Sequence, residues 1–498
     1  MYINNKILIG KSENKELSIL LNKANRHGLI TGASGSGKTI TLKVMAESFS
    51  NAGVPVFLAD VKGDLSATAI KGEPNEALDE RLKKLNIENF EYKNFPVRYW
   101  DIFGITGHPI RTSLNQVGPQ ILSMMLGLSE AQEGVLTIVF KIAEDNNWKL
   151  DDIKDLRLLL QYVGDNKNDF ITKYGNITTQ SIGVIQRCLL TLENQGANKF
   201  FGIPELDIND FIQKKDEQGI INILDAVELF KSPDLYASFL LWLLTNLFNK
   251  MEEVGDQELP KIVFFFDEAH LLFNGMPTYR LKQITQIVKL IRSKGIGLYF
   301  ISQSPADIPD EIISQLGNRI QHTLRAYTPK EQRNVKAAAD AFRTNPNFDT
   351  TEAILSLGTG EALISFQNEN GEPEIVEKAT ILPPQSKMGT IDDITRNKII
   401  NNSEIIGKYD EIEERDSAYE ELNSLIIQKI EEEELIKQKE KEEKELIKKQ
   451  KEEEKEKKLK EKERKNSLEY KLGKKVVNKT TDKLINKGLN AIFKKIFK

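Results

Sequence analysis

Gly32, Ala33, Ser34, Gly35, Ser36, Gly37, Lys38 and Thr39 place glycines first and sixth in a run of eight, with a lysine and a hydroxyl closing it. That spacing is a phosphate-binding loop. The glycines let successive backbone N–H groups turn inward on an anion, and the helix that follows presents its positive end there. Lys38 is spaced to reach the β and γ phosphates, and the Thr39 hydroxyl to ligate magnesium. An apolar strand-like run ends at Ile30, and Ile40, Leu42, Val44, Met45 and Phe49 recur at helical spacing. A glycine-rich turn that matched by accident would need neither flank.

Hydrolysis asks for more than a cradle. In KIVFFFDEAH, five apolar residues from Ile262 to Phe266 end in two adjacent carboxylates. Asp267 suits a magnesium ligand acting through water, and Glu268 suits the group that polarises the attacking water. One strand later, GLYFISQSPADIP sets Gln303 at a strand end, where it can contact the γ phosphate or the water. A transition state that spreads charge over phosphoryl oxygens also gains from a guanidinium. Arg292, Arg319 and Arg325 are the candidates, and each has an equal reading as a surface ion-pair residue.

Those groups need a scaffold that brings strand ends together. Strand-like runs at 28–31, 54–60, 97–101, 219–226, 261–268, 297–303, 319–326 and 361–366 alternate with helical patterns. The expectation is an α/β fold with a mostly parallel sheet covered on both faces. No strong strand pattern falls between 115 and 215, which reads as an inserted helical subdomain. The proline pair in ILPPQSKMG at 381–389 reads as the end of the core. The expected organisation is thus a motor domain at 1–390, a helical extension at 391–427, a charged segment at 428–470 and a basic amphipathic helix at 471–498.

Composition narrows the setting. Cys188 is the only cysteine among 498 residues, which excludes an internal disulfide framework, and it reads as a buried small apolar residue. MYINNKILIGKSENKE is too polar for a signal peptide, and FLLWLLTNLF at 239–248 is too short to span a bilayer. A reducing, cytoplasmic setting is expected. The net charge of −5 makes any nucleic-acid affinity depend on a local basic stripe or a pore shared by several subunits.

The end of the chain changes character twice. From 428 to 465 it is almost wholly Glu and Lys, with ELIK at 434–437 and again at 445–448. Apolar positions are too sparse for a sustained heptad seam, so a solvated helix held by i,i+4 Glu/Lys pairs is expected ahead of disorder or a coiled coil. KLGKKVVNKTTDKLINKGLNAIFKKIFK then carries nine Lys against one Asp, with apolar residues at roughly helical spacing. Such a helix suits a docking partner or self-association, an anionic membrane, or nucleic acid.

Together, ANRHGLITGASGSGKT, PVFLADVKGDLS, FFFDEAHLLF, IRSKGIGLYFISQSPADIPDEIISQLGNRIQHTLRAYTP and RDSAYE resemble the HerA/FtsK superfamily of P-loop motor ATPases. The likeness spans about residues 15–425 and is greatest to stand-alone proteins built around a HerA-like helicase C-terminal domain, the YjgR-like branch. It implies a RecA-like core, ATP and Mg2+ as cofactors, a homo-hexameric ring with ATP between subunits, and double-stranded DNA as the partner. By position, Gly32 to Thr39 match the Walker A loop, Asp267 and Glu268 the Walker B pair, and Gln303 the sensor. Arg292 matches the arginine inserted into a neighbour's site, which ranks it above Arg319 and Arg325. Asp60 and Asp64 match an acidic motif near the nucleotide.

HerA proper carries a β-barrel before its motor that engages a nuclease, whereas about 26 residues precede the first motor strand here, which argues against a nuclease partner. The leading expectation is a DNA translocase or helicase. The alternative is an ATP-gated scaffold or membrane-associated ATPase that does not act on nucleic acid.

Overall fold

The computed structural model describes residues 1–466 except Asn14, Glu88, Asp256, Gly275 and Pro277. The basic segment at 471–498 lies outside the described residues. Contacts divide the chain into Met1–Leu422 and Asn423–Lys498.

A mostly parallel sheet organises the first unit. From one edge its strands run Tyr2–Ile3, Lys6–Lys11, Glu377–Ile381, Glu361–Ser365, Asn318–Gln321, Gly28–Thr31, Ile296–Ser302, Ile262–Phe266, Val56–Asp60, Ile221–Asp225, Val97–Asp101 and His108–Pro109. Pairing is parallel from Asn318–Gln321 toward His108–Pro109 and antiparallel from Asn318–Gln321 toward Tyr2–Ile3.

Alternation along the strands splits the core in two. Phe57, Phe264, Phe266 and Phe300 pack on one face, while Leu58, Phe265, Tyr299 and Ile301 pack on the other. A strand buried on both sides must be apolar at every position, which is why the sequence reads as unbroken runs. The Lys38–Asn51 helix covers the second face with Leu42, Met45 and Phe49. The first face is covered by Pro233–Lys250, and the five helices between Leu114 and Asn194 continue the same core outward. Beyond Asn194 the expected helical block continues only as short 3-10 turns at Ala197–Lys199 and Ile208–Ile212.

Three features depart from the pattern. The run expected as a strand over 319–326 pairs only from Asn318 to Gln321. Past that point the chain leaves the sheet to brace the glycine loop: Thr31 O accepts from His322 N at 2.7 Å, and Thr323 O from Ala33 N at 2.8 Å. The hairpin Lys6–Lys11 with Glu16–Leu20, and the strand Glu377–Ile381, carry charges at their ends and extend the sheet's antiparallel edge. The core also continues past the prolines, since Ile391, Ile405, Tyr409 and Ala418 are buried and Arg396 bonds Asp225.

Ala418–Asn466 is one helix of 49 residues. From Glu431 to Lys465 every residue is exposed. Pairs four apart recur along it, among them Glu433–Lys437, Glu440–Lys444 and Glu456–Lys460.

Candidate nucleotide-binding site

The glycine loop leaves the C-terminal end of Gly28–Thr31 and enters the helix beginning at Lys38. Gly32, Gly35 and Gly37 all have positive φ, at 154°, 76° and 112°. Side chains are excluded at two of them. A Cβ on Gly32 would lie 2.5 Å from His322 Cβ, and one on Gly37 would lie 3.1 Å from Gly360 N. Only glycine has both the conformation and the clearance.

Lys38 is 9% exposed, and its Nζ donates to Gly32 O at 2.6 Å and Ala33 O at 3.2 Å. The amine is thus parked on the loop it must serve. Burial, then repulsion from Lys62, pushes its pKa down, and Asp267 and Glu268 oppose that shift. Ser36 Oγ is buried without a hydrogen-bond partner among the described residues, inside the loop.

Parallel register brings the acidic pair to the same edge. Phe265 lies beside Leu58 and Tyr299, and Phe300 beside Leu29, so Asp267, Asp60 and Gln303 all emerge at the strand ends near the loop. Ile296–Ser302 sits between the loop strand and Ile262–Phe266, which places exposed Gln303 between the glycine loop and the carboxylates.

Asp267 Oδ1 accepts from Glu268 N at 2.9 Å, and its carbonyl accepts from Tyr236 OH at 2.8 Å. Burial first, and then the Glu268 charge, pushes the Asp267 carboxyl up to about 7. Glu268 is held at φ 48°, a conformation costly for a residue with a Cβ. Its Oε2 is buried with no hydrogen-bond partner among the described residues, and His270 Nδ1 stands 3.4 Å away. An unsatisfied carboxylate oxygen and an unsatisfied hydroxyl, beside a lysine and a half-buried Thr39, fit magnesium and a polyphosphate as the missing partners.

Asp60 accepts from Leu65 N at 3.0 Å, and burial pushes it up to about 6. Asp64 is half-buried next to it, with its pKa raised chiefly by burial.

The three arginines separate on geometry. Arg319 donates to Leu316 O, Ala341 O and Ile313 O, so its fork is spent on carbonyls. Arg325 is exposed on the segment that follows the brace. Arg292 is half-buried before the N-terminal end of Ile296–Ser302, at the sheet edge opposite the glycine loop. A strand of seven residues, ~23 Å, therefore separates it from this chain's own site.

Several site residues had weaker sequence signals. Lys62, in DVKGD, lies close enough to bias both Lys38 and Asp267. His322 takes the Thr41 hydroxyl at 2.9 Å on Nε2 and donates from Nδ1 to Glu361 O at 2.9 Å, which locks it beneath the loop. Gly360 N donates to Ser36 O at 3.1 Å. The glycine in GTGEAL was the one available hint of that close approach.

The sheet order, the glycine loop and the strand-end carboxylates define a P-loop NTPase with a RecA-like α/β core. Its fold is shared by the bacterial conjugative coupling protein TrwBdeltaN70, at TM-score 0.52 and 10% identity over 77% of this chain and 92% of that one. The family described as Helicase HerA-like C-terminal matches residues 5–497, and the chain belongs to that family. It is 25% identical over 365 residues to the DNA double-strand break repair helicase HerA of Sulfolobus acidocaldarius, covering 72% of this chain and 66% of that protein. Against the protein of the same name from Saccharolobus solfataricus the identity is 24% over 417 residues, covering 82% and 72%. The chain spans 66% of the length of the Sulfolobus acidocaldarius relative and the same share of the Sulfurisphaera tokodaii one.

Proposed function

We propose that this protein is an ATP-hydrolysing ring motor of the HerA/FtsK type that translocates along or unwinds double-stranded DNA. The observation that carries the reading is the meeting of Lys38, Asp267, Glu268 and Gln303 at one edge of the parallel sheet, in a chain of this family. The relatives named as DNA repair helicases support DNA as the substrate.

Bound ATP with Mg2+ supplies the phosphoanhydride whose cleavage drives the cycle. Gly32 to Gly37 turn N–H groups onto the phosphates. Lys38 can exchange its loop carbonyls for phosphate oxygens, and Thr39 with Asp267 would hold the metal. Glu268, whose Oε2 has no hydrogen-bond partner among the described residues, polarises the attacking water, and Gln303 reads the γ phosphate. Arg292, too far from its own site, serves the site of the neighbouring subunit in a homo-hexamer. Verified mixed rings of Arg292→Ala and Lys38→Ala subunits should then regain part of the hydrolysis that each lacks alone, and no recovery would exclude a trans role.

The test of the motor is steady-state ATP hydrolysis with and without linear double-stranded DNA across a salt series. Stimulation that fades as salt rises is expected from a site that holds the phosphate backbone. A measurable rate indifferent to DNA at every salt concentration would leave an ATPase and remove DNA as its substrate.

A further inference from the structure

The long helix carries a short apolar face outside the residues assigned to nucleotide turnover. Leu435, Ile436, Leu446 and Ile447 are 51%, 56%, 57% and 42% exposed, on a stretch otherwise almost all Glu, Lys and Gln. Glu-Leu-Ile-Lys recurs after 11 residues. Eleven residues make three turns at ~3.67 per turn, so both Leu-Ile pairs fall on the same side of the helix. A solvated single helix gains nothing from that coincidence. At ~100° per residue, Lys439 and Glu443 also fall on that side, between the two pairs.

We propose that this face pairs antiparallel with the same face of a second copy of the chain, centred near Lys441. Leu435 then lies beside Leu446 of the second copy, and Ile436 beside Ile447. Charge selects the orientation. Antiparallel pairing about that centre sets Lys439 opposite Glu443 in both directions, and along the borders it sets Glu431 by Lys449, Glu433 by Lys451 and Glu440 by Lys444. A parallel pair in register would instead set Lys439 against Lys439, Glu443 against Glu443, and Glu431 against Glu433. Opposite charges beside an apolar seam fix partner and direction, and like charges there reject the alternative. The relation is two-fold and self-complementary. The contact joins two copies of the chain across that two-fold axis, and it stands whether or not DNA is the substrate.

Cysteine cross-linking of the full-length chain tests this. Cys188, the single native thiol, is first replaced by alanine. Differently tagged chains carrying Leu435→Cys or Leu446→Cys are then mixed and oxidised. The expected product is the mixed disulfide, at least about 10-fold above either self-product. An antiparallel pair separates the two copies of either position by roughly 15–18 Å along the axis, beyond disulfide reach. Self-products without the mixed one would establish a parallel pair, and no disulfide at all would remove the contact; either overturns the proposal. A charge swap gives a second reading. Lys439→Glu or Glu443→Lys alone should cut the mixed yield several-fold, and the double swap should restore it, whereas a double variant as weak as the singles would overturn the antiparallel register.

Discussion

Lys43 with Glu47, and Glu456 with Lys460, are both oppositely charged residues four apart on a helix, yet they share little else. On the Lys38–Asn51 helix, both charges are buried. Glu47 accepts from Gln385 N, Ser386 N and Ser386 Oγ, while Lys43 Nζ donates to Lys387 O. Burial pushes Lys43 down to about 8 and pushes the Glu47 carboxyl up, against the pull of the opposite charge. On the long helix, Glu456 and Lys460 meet at 2.8 Å with both side chains mostly in water. The first pair fixes the 385–387 segment onto the helix behind the glycine loop. The second fixes only its own backbone. Burial, not proximity, determines what a charge contributes.

The largest effect is expected where a buried carboxylate faces the reaction. Glu268→Gln should retain ATP binding while hydrolysis falls by about 10²–10⁴-fold. Nucleotide affinity and steady-state turnover check it, and unchanged turnover would remove Glu268 as the base.

Next comes Glu47→Ala, which leaves two buried backbone N–H groups without their acceptor and takes from the buried Lys43 amine the opposite charge that acts on it most. A loss of roughly 3–5 kcal/mol is expected by chemical denaturation. A loss below about 1 kcal/mol would mean that the 385–387 segment docks by other contacts.

Acid should reveal two buried histidines. His27 and His322 each accept one hydrogen bond on a ring nitrogen, from Leu298 N and from Thr41 Oγ1, and burial pushes each down to about 4. Between the ordinary 6.5 and 4 the unfolded chain binds these protons and the folded chain does not, so their contribution is full above 6.5 and is lost as pH falls. Asp60 and Asp267, raised by burial, act with the opposite sign. The informative measurement is therefore a difference: the stability deficit of His322→Gln should shrink by on the order of 3 kcal/mol from pH 7 to pH 4. A deficit independent of pH would show that His322 does not stay neutral beneath the loop.

Glu456→Ala should change little, below about 0.5 kcal/mol, and that little should vanish at high salt. Circular dichroism across a salt series checks it; a large loss would place the pair in a buried contact and collapse the contrast with Glu47.

The sequence alone pointed to the chemistry proposed at the sheet edge, because that chemistry depends on residue types at fixed local spacing. Gly32 to Thr39 must be contiguous to cradle phosphate, and Asp267 with Glu268 must follow a strand apolar enough to be central. Parallel strands were legible for the same reason: burial on both faces leaves unbroken apolar runs. Tertiary structure decided what depends on residues far apart. The strand that ends at Gln321 stops short, and Thr323 O beyond it accepts from Ala33 N in the glycine loop. Gly37 has no room for a side chain because Gly360 lies against it, and Ile391, Ile405, Tyr409 and Ala418 join the core through distant partners, with Tyr409 against Trp100 and Ala418 N donating to Lys149 O. Arg319 and Arg292 look alike in sequence, and only the fold spends one on carbonyls and sets the other at the far edge. Local patterns record what neighbours along the chain require of each other, and contacts made across hundreds of residues leave single residues whose purpose appears only when the chain has folded.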